Sequence, residues 1–189
     1  LTAFGNTVPT SFLRLVPHQE APTAICWGDR NRSVLVRVPL GWQNLDDSMF
    51  RDANPAEPAI DELPSDSQTV ELRSPDGSAA VHLLLAGIAV AARIGLTEPG
   101  MADYARERKV DGDASQTPDL DQLPGSCFEA AGRLLTQRED YEAKGVFPAG
   151  LIDSWASYLV SLGDVHLRDD LADSRISVEE LVEHYFHIG

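Results

Sequence analysis

The chain has 189 residues, 43% hydrophobic and 24% charged, with 30 Asp and Glu against 15 Lys and Arg and a formal net charge of −15. That length supplies one domain with a substantial core, or a core with a helical annex. The charge excludes a nucleic-acid face, which needs cations against phosphate, and docking on an anionic membrane; it suits partners that are cations, metal ions or other subunits.

Residues 1–22 are punctuated by Pro9, Pro17 and Pro22, which forbid a long helix, so the segment reads as loop with a short turn. Ser33–Val38 is apolar and β-branched and predicts a strand, stopped by Pro39 and Gly41. The acidic, Pro-containing stretch 40–66 is long for a connection and reads as a surface insertion. Thr69–Arg73 predicts a second strand, closed by the turn signal Ser74-Pro75-Asp76-Gly77.

From Ser78 the pattern becomes helical. The run Ala79–Leu96 approaches membrane-spanning length, but it holds His82 and Arg93 and is Ala-rich, which predicts a buried core helix with His82 inside it on a backbone partner. After a polar segment at 97–125, Ser126-Cys127-Phe128-Glu129 is a capping box that opens a helix ending near Gly145. A helix at 149–162 follows Pro148, and Ser177-Val178-Glu179-Glu180 caps a last one. The β-rich part, 1–76, followed by an all-helical part, 77–189, predicts the α+β class.

In a strand with period 2, Thr69, Glu71 and Arg73 share one face while Val70 and Leu72 enter a core. Glu71 and Arg73 there could bind a metal and an anionic substrate, or neutralise each other as a structural pair. Arg30, Arg32 and Arg37 form a local basic cluster; guanidinium forks suit phosphate and carboxylate oxygens, and salt bridges to the abundant acids are the equal alternative. Cys26 and Cys127 form no CxxC and read as two free thiols. The opening Leu1-Thr2-Ala3-Phe4 shows no signal peptide and reads as the start of an excised piece. Other residues have plain readings: His184 and His187 as a solvated helix end, Trp27 and Trp42 as packing, Ser126 as a cap, and Asp169, Asp170 and Asp173 as a solvated loop.

Three ordered motifs carry a family resemblance. Phe12-Leu13-Arg14-Leu15-Val16-Pro17-His18-Gln19-Glu20-Ala21-Pro22 resembles the glutamine synthetase segment S-Y-K-R-L-V-P-G-Y-E-A-P. Arg30-Asn31-Arg32-Ser33-Val34-Leu35-Val36-Arg37-Val38-Pro39 resembles its R-N-R-S-A-x-x-R-I-P, and Val70-Glu71-Leu72-Arg73-Ser74-Pro75-Asp76 with Ser78-Ala79 its I-E-x-R-x-P-D-P-x-A. Gly145-Val146-Phe147 and Glu183-His184-Tyr185-Phe186 are similar to the family's C-terminal helical region.

The resemblance implies antiparallel strands of a partial catalytic barrel followed by helices. It implies a cytoplasmic, oligomeric ATP-dependent ligase that joins ammonia to glutamate through γ-glutamyl phosphate with Mg2+ or Mn2+. By motif position, Arg14 and Arg73 would bind the glutamate carboxylate, Glu71 a metal, Arg32 the transferring phosphate and Arg37 the nucleotide phosphates. Glu20 would sit on a mobile flap between Pro17 and Pro22 and take the ammonium proton.

Several positions depart from the family pattern. Thr69 stands where the family commonly has an arginine near the nucleotide, with Arg51 a possible substitute; 40–66 is longer than usual; and His18-Gln19 replaces G-Y in the flap. Tyr104 lies in the region of the bacterial regulatory tyrosine but in other surroundings, so adenylylation is not assigned to it. The family's other metal ligands and its N-terminal domain precede the first motif, so the chain alone is expected to be inactive and monomeric or dimeric. A ligase for another amine, such as a polyamine, and a non-catalytic binding or assembly module are the alternative readings.

Overall fold

The computed structural model describes residues 1–16, 21–39, 52, 55–56 and 69–185. The flap at 17–20 with Glu20, most of the 40–66 insertion with Trp42 and Arg51, and His187 lie outside the described residues. The observed order is α1 (Thr2–Gly5), α2 (Pro9–Leu13), β1 (Trp27–Asp29), β2 (Val36–Val38), β3 (Glu71–Leu72), α3 (Val81–Thr97), α4 (Met101–Glu107), α5 (Cys127–Thr136), α6 (Arg138–Glu142), α7 (Leu151–Ser161), α8 (Leu167–Ala172) and α9 (Val178–Tyr185). A small three-stranded sheet followed by a mostly helical region is the α+β arrangement expected.

The first sixteen residues are more helical than their prolines suggested. Pro9 occupies the first turn of α2, where its missing N–H would have been unbonded anyway. Phe4 of α1 stacks on Phe147 at 5.3 Å and meets Tyr141 edge-on at 5.5 Å. With Phe12, Ile152, Ala156 and Leu159 it forms the main core, so residues from both ends of the chain share one interior.

The sheet differs from expectation in one pairing. β2 and β3 are antiparallel, but β1 and β2 run parallel. The reversal is local: the loop 30–35 doubles back over Gly28, with Asn31 Cβ and Val34 Cγ1 within 3.2 and 3.5 Å of where a Cβ would stand. β2 is also shorter than predicted, because the polar side chains of Asn31 and Ser33 bond locally and withdraw that segment from the ladder.

α3 is not the buried core helix expected, and His82 is exposed on it. Only Gly87 and Val90 are buried: at Gly87 the helix backbone comes so close to α1 that a Cβ would lie 2.9 Å from Leu1 and 3.3 Å from Phe4. The opposite flank leaves Val81 and Leu85 more than half exposed and Leu96 at 87%. Among the described residues no single helix is long and apolar enough to cross a membrane.

The capping box at Ser177 forms in full, while at Ser126 the serine caps the helix and the glutamate reaches one residue further back. Ser126 Oγ accepts from the Glu129 N–H at 3.1 Å, and Glu129 Oε2 reaches back to the Gly125 N–H at 2.7 Å. Ser177 and Glu180 exchange backbone-to-side-chain bonds of 3.1 and 2.7 Å. The first of these helices is broken at Gln137, and Asp169 and Asp170 lie in the first turn of α8 rather than a loop, where their charge complements the free N–H groups.

Candidate functional site

The site begins with strand register. β2–β3 pairing sets Arg37 directly opposite Glu71 and Val36 opposite Leu72. The pleat therefore sends Arg37 and Glu71 to one face and Leu72 to the other. Arg37 Nη1 lies 3.2 and 3.1 Å from the two Glu71 carboxylate oxygens. Glu71 is thus paired with Arg37, and not with Arg73 as the alternative reading has it. On the Leu72 side, a cavity of about 560 Å³ is lined by Ile25, Leu72, Val90, Ile94 and Tyr104; it is mainly apolar and does not include the charged pair.

Arg14 is the C-cap of α2. Its Nη2 donates to the Ser74 carbonyl, beside Arg73, and its Nε stands 3.5 Å from Asp76. Two anchors that the sequence did not reveal hold Arg14 there. Arg168, from α8, donates to the Phe12 and Leu15 carbonyls at 2.9 and 3.3 Å, placing a cation at the C-terminal end of α2 and the residues that follow it. Buried Asn6 donates to the same Ser74 carbonyl at 2.8 Å.

A polar network then ties the α1–α2 junction to the 74–78 turn. Ser78 O–H donates to Asp76 at 2.6 Å, while Ser78 accepts from the Thr7 N–H at 3.0 Å and lies 3.1 Å from Ser11 Oγ. With its own proton on Asp76, Ser78 receives the Ser11 proton. Arg14 and Arg73 are thereby brought to one turn from positions 59 residues apart.

The loop 30–35 presents Arg30 and Arg32, both exposed. Arg30 has φ of 55°, a left-handed conformation that costs a non-glycine residue on the order of 1 kcal/mol. Such a conformation persists only where neighbours over-determine it, and Asn31 does so. Its Nδ2 donates to the Val110 and Gly112 carbonyls at 3.0 and 2.7 Å, and its Oδ1 accepts from Ser33 N–H and O–H at 2.9 and 2.8 Å. Ser33 Oγ accepts in turn from the Ala114 N–H at 2.9 Å.

Trp27 adds to this wall. Its backbone pairs with Arg108 and Val110, and its indole donates to the Ala105 carbonyl at 2.7 Å. The expected packing role of Trp27 therefore includes a bonded N–H.

Thr69 is exposed and lies before β3. Cys26 and Cys127 are free and buried, and burial pushes both thiols up, Cys127 strongly. Among the described residues no three His, Cys, Asp or Glu side chains converge as a metal would need.

The family model described as glutamine synthetase, catalytic domain, matches residues 1–159. The glutamine synthetase of Pyrococcus abyssi is 33% identical over 195 aligned residues, covering 98% of this chain and 38% of the relative. That of Thermococcus kodakarensis is 31% identical, covering 100% and 38%, and that of Mycobacterium tuberculosis 29% identical, covering 84% and 29%. The chain thus spans between 29% and 38% of the length of these relatives.

Proposed function

The chain belongs to the glutamine synthetase family through its catalytic domain, and from that premise we propose that it is the C-terminal part of a cytoplasmic, oligomeric ATP-dependent glutamate–ammonia ligase. The observation that supports this reading is the meeting of family-motif residues from distant positions: Arg37 with Glu71 across two strands, and Arg14 with the turn that follows Arg73. In this reading residues 1–76 carry the anion-binding groups and 77–189 the helical support.

The reaction must bring a carboxylate and a triphosphate together, and fixed cations lower the cost of doing so. Arg14 and Arg73 hold the glutamate carboxylate, Arg37 the nucleotide phosphates and Arg32 the phosphoryl group in transit. Glu20 takes a proton from ammonium, leaving ammonia to displace phosphate from the γ-glutamyl intermediate.

The described residues do not by themselves fit the Mg2+ or Mn2+ of that chemistry. Glu71 is a single carboxylate already engaged by Arg37, and a divalent ion needs several oxygen ligands to displace its water. In this proposal Glu71 contributes one ligand and the others come from outside the described residues; we propose further that the chain alone is inactive.

The test is ATP-dependent phosphate release by the full-length protein carrying this sequence, with magnesium and glutamate, comparing ammonia with putrescine and running the 189-residue chain alongside. Turnover with ammonia and a silent short chain support the proposal. Turnover with putrescine alone moves it to a ligase for another amine, and silence with both moves it to a non-catalytic binding or assembly role.

A further inference from the structure

We propose that Asn31, acting with Ser33, is a positioning residue that holds Arg32 ready for a phosphate anion by clamping the 30–35 loop to the 110–114 segment. The inference rests on the phosphate role given to Arg32 above and names the residues that make that role possible.

Three observations converge. Asn31 spends its whole hydrogen-bonding capacity on the loop and its wall, both amide protons going to the Val110 and Gly112 carbonyls and its oxygen to Ser33. Ser33 closes the ring by accepting from the Ala114 N–H. Beneath them, Gly28 allows the 110–114 wall to approach so closely that a Cβ would stand 2.4 Å from the Val110 oxygen.

The two residues flanking Asn31 are arginines, both exposed. A long cationic side chain has much rotamer freedom, and an exposed one binds an anion well only where its backbone is already fixed. The clamp supplies that fixation without using the Arg32 guanidinium. Asn suits the position because its amide both donates twice and accepts; Asp would oppose a carboxylate to two carbonyl oxygens.

A generic stabilising loop contact would give the same geometry, so the test must read the anion and not only the fold. The 189-residue chain, labelled at arginine, is titrated with pyrophosphate while the Arg32 Nε–H signal is followed by NMR. Hydrogen exchange at the Ser33 and Ala114 amides and the melting temperature are recorded for the same samples. Asn31→Ala and Ser33→Ala are expected to speed exchange at those amides. They should also weaken pyrophosphate binding about tenfold, as the loss of one charge-assisted hydrogen bond implies. Ser33→Thr, which keeps the hydroxyl, should restore both readouts.

If Arg32→Ala weakens binding while Asn31→Ala and Ser33→Ala leave it unchanged, the clamp proposal is overturned and the phosphate reading stands. If the wild-type Arg32 signal does not respond to pyrophosphate, the phosphate reading fails and the proposal fails with it.

Discussion

Arg37 and Glu71 face each other across the β2–β3 pair, a single guanidinium nitrogen within 3.2 Å of both carboxylate oxygens. The family resemblance gives them different partners, phosphate for one and metal for the other, yet here each has the other as its partner. Such a pair fixes the direction of both side chains.

Because the Glu71 side chain is 42% exposed, the pair adds little to stability, within about 1 kcal/mol after screening. Glu71→Gln is expected to leave the urea midpoint of the chain nearly unmoved. In the full-length protein the same change should lower phosphate release by about a hundredfold or more, the scale of losing one fixed electrostatic group in a transfer site. A large stability loss with intact turnover would show that the pair is structural only.

Asp164 is buried, and its two oxygens accept from the Cys127 and Phe128 N–H groups at 2.6 and 3.2 Å, satisfying free donors at the start of α5. Asp164→Ala should cost about 2 kcal/mol, measured by urea unfolding of the chain. Serine 126 remains as a second cap, so the helix should survive in far-UV circular dichroism.

At Gly28 an added Cβ would meet the Val110 backbone oxygen at 2.4 Å, and backbone yields less readily than a side-chain tip. Gly28→Ala should destabilise the chain by about 1–3 kcal/mol through overpacking. It should also speed amide exchange at Val110, whose N–H donates to Trp27.

Burial raises Tyr141 to about 12 from its ordinary 10. A raised phenol means that the unfolded chain loses its proton first. The stabilisation is thus complete below pH 10 and is lost as pH climbs from 10 towards 12. Cys127, raised from 9 by burial, adds a loss that begins near pH 9. Thermal melts should fall beyond pH 9, and Tyr141→Phe should flatten the fall above pH 10.

The elements most legible in the sequence were those fixed by short-range chemistry. Ser126-x-x-Glu129 and Ser177-x-x-Glu180 set their helix starts because both partners lie within one turn. β3 with Glu71 and β2 with Arg37 were visible as apolar runs around a charge. β1 was not, since Gly28 breaks any strand-like pattern and its role is to let another segment approach.

His82 and α3 misled because an apolar composition reports a wish for burial, and which side is covered depends on elements far away in the chain. Arg168 and Asn6 could not be read at all: their partners lie 156 and 68 residues away, and no local pattern distinguishes an arginine holding a carbonyl from one in solvent. Asn31 and Ser33 lie inside the second motif, but their partners at Val110 and Ala114 are 79 and 81 residues away, so no local pattern shows the clamp.

The bare flank of α3, with Val81, Leu85 and Leu96 turned to water, has a colloidal consequence. Chains that expose such a greasy strip stay dispersed only while their like charges repel, and this one carries −15. Salt would shorten the reach of that repulsion, and acidification towards the sequence pI of about 4.5 would remove it. The handling window of the isolated chain is therefore dilute, low-salt and above neutral pH, and clouding on titration towards pH 4.5 would begin at this helix.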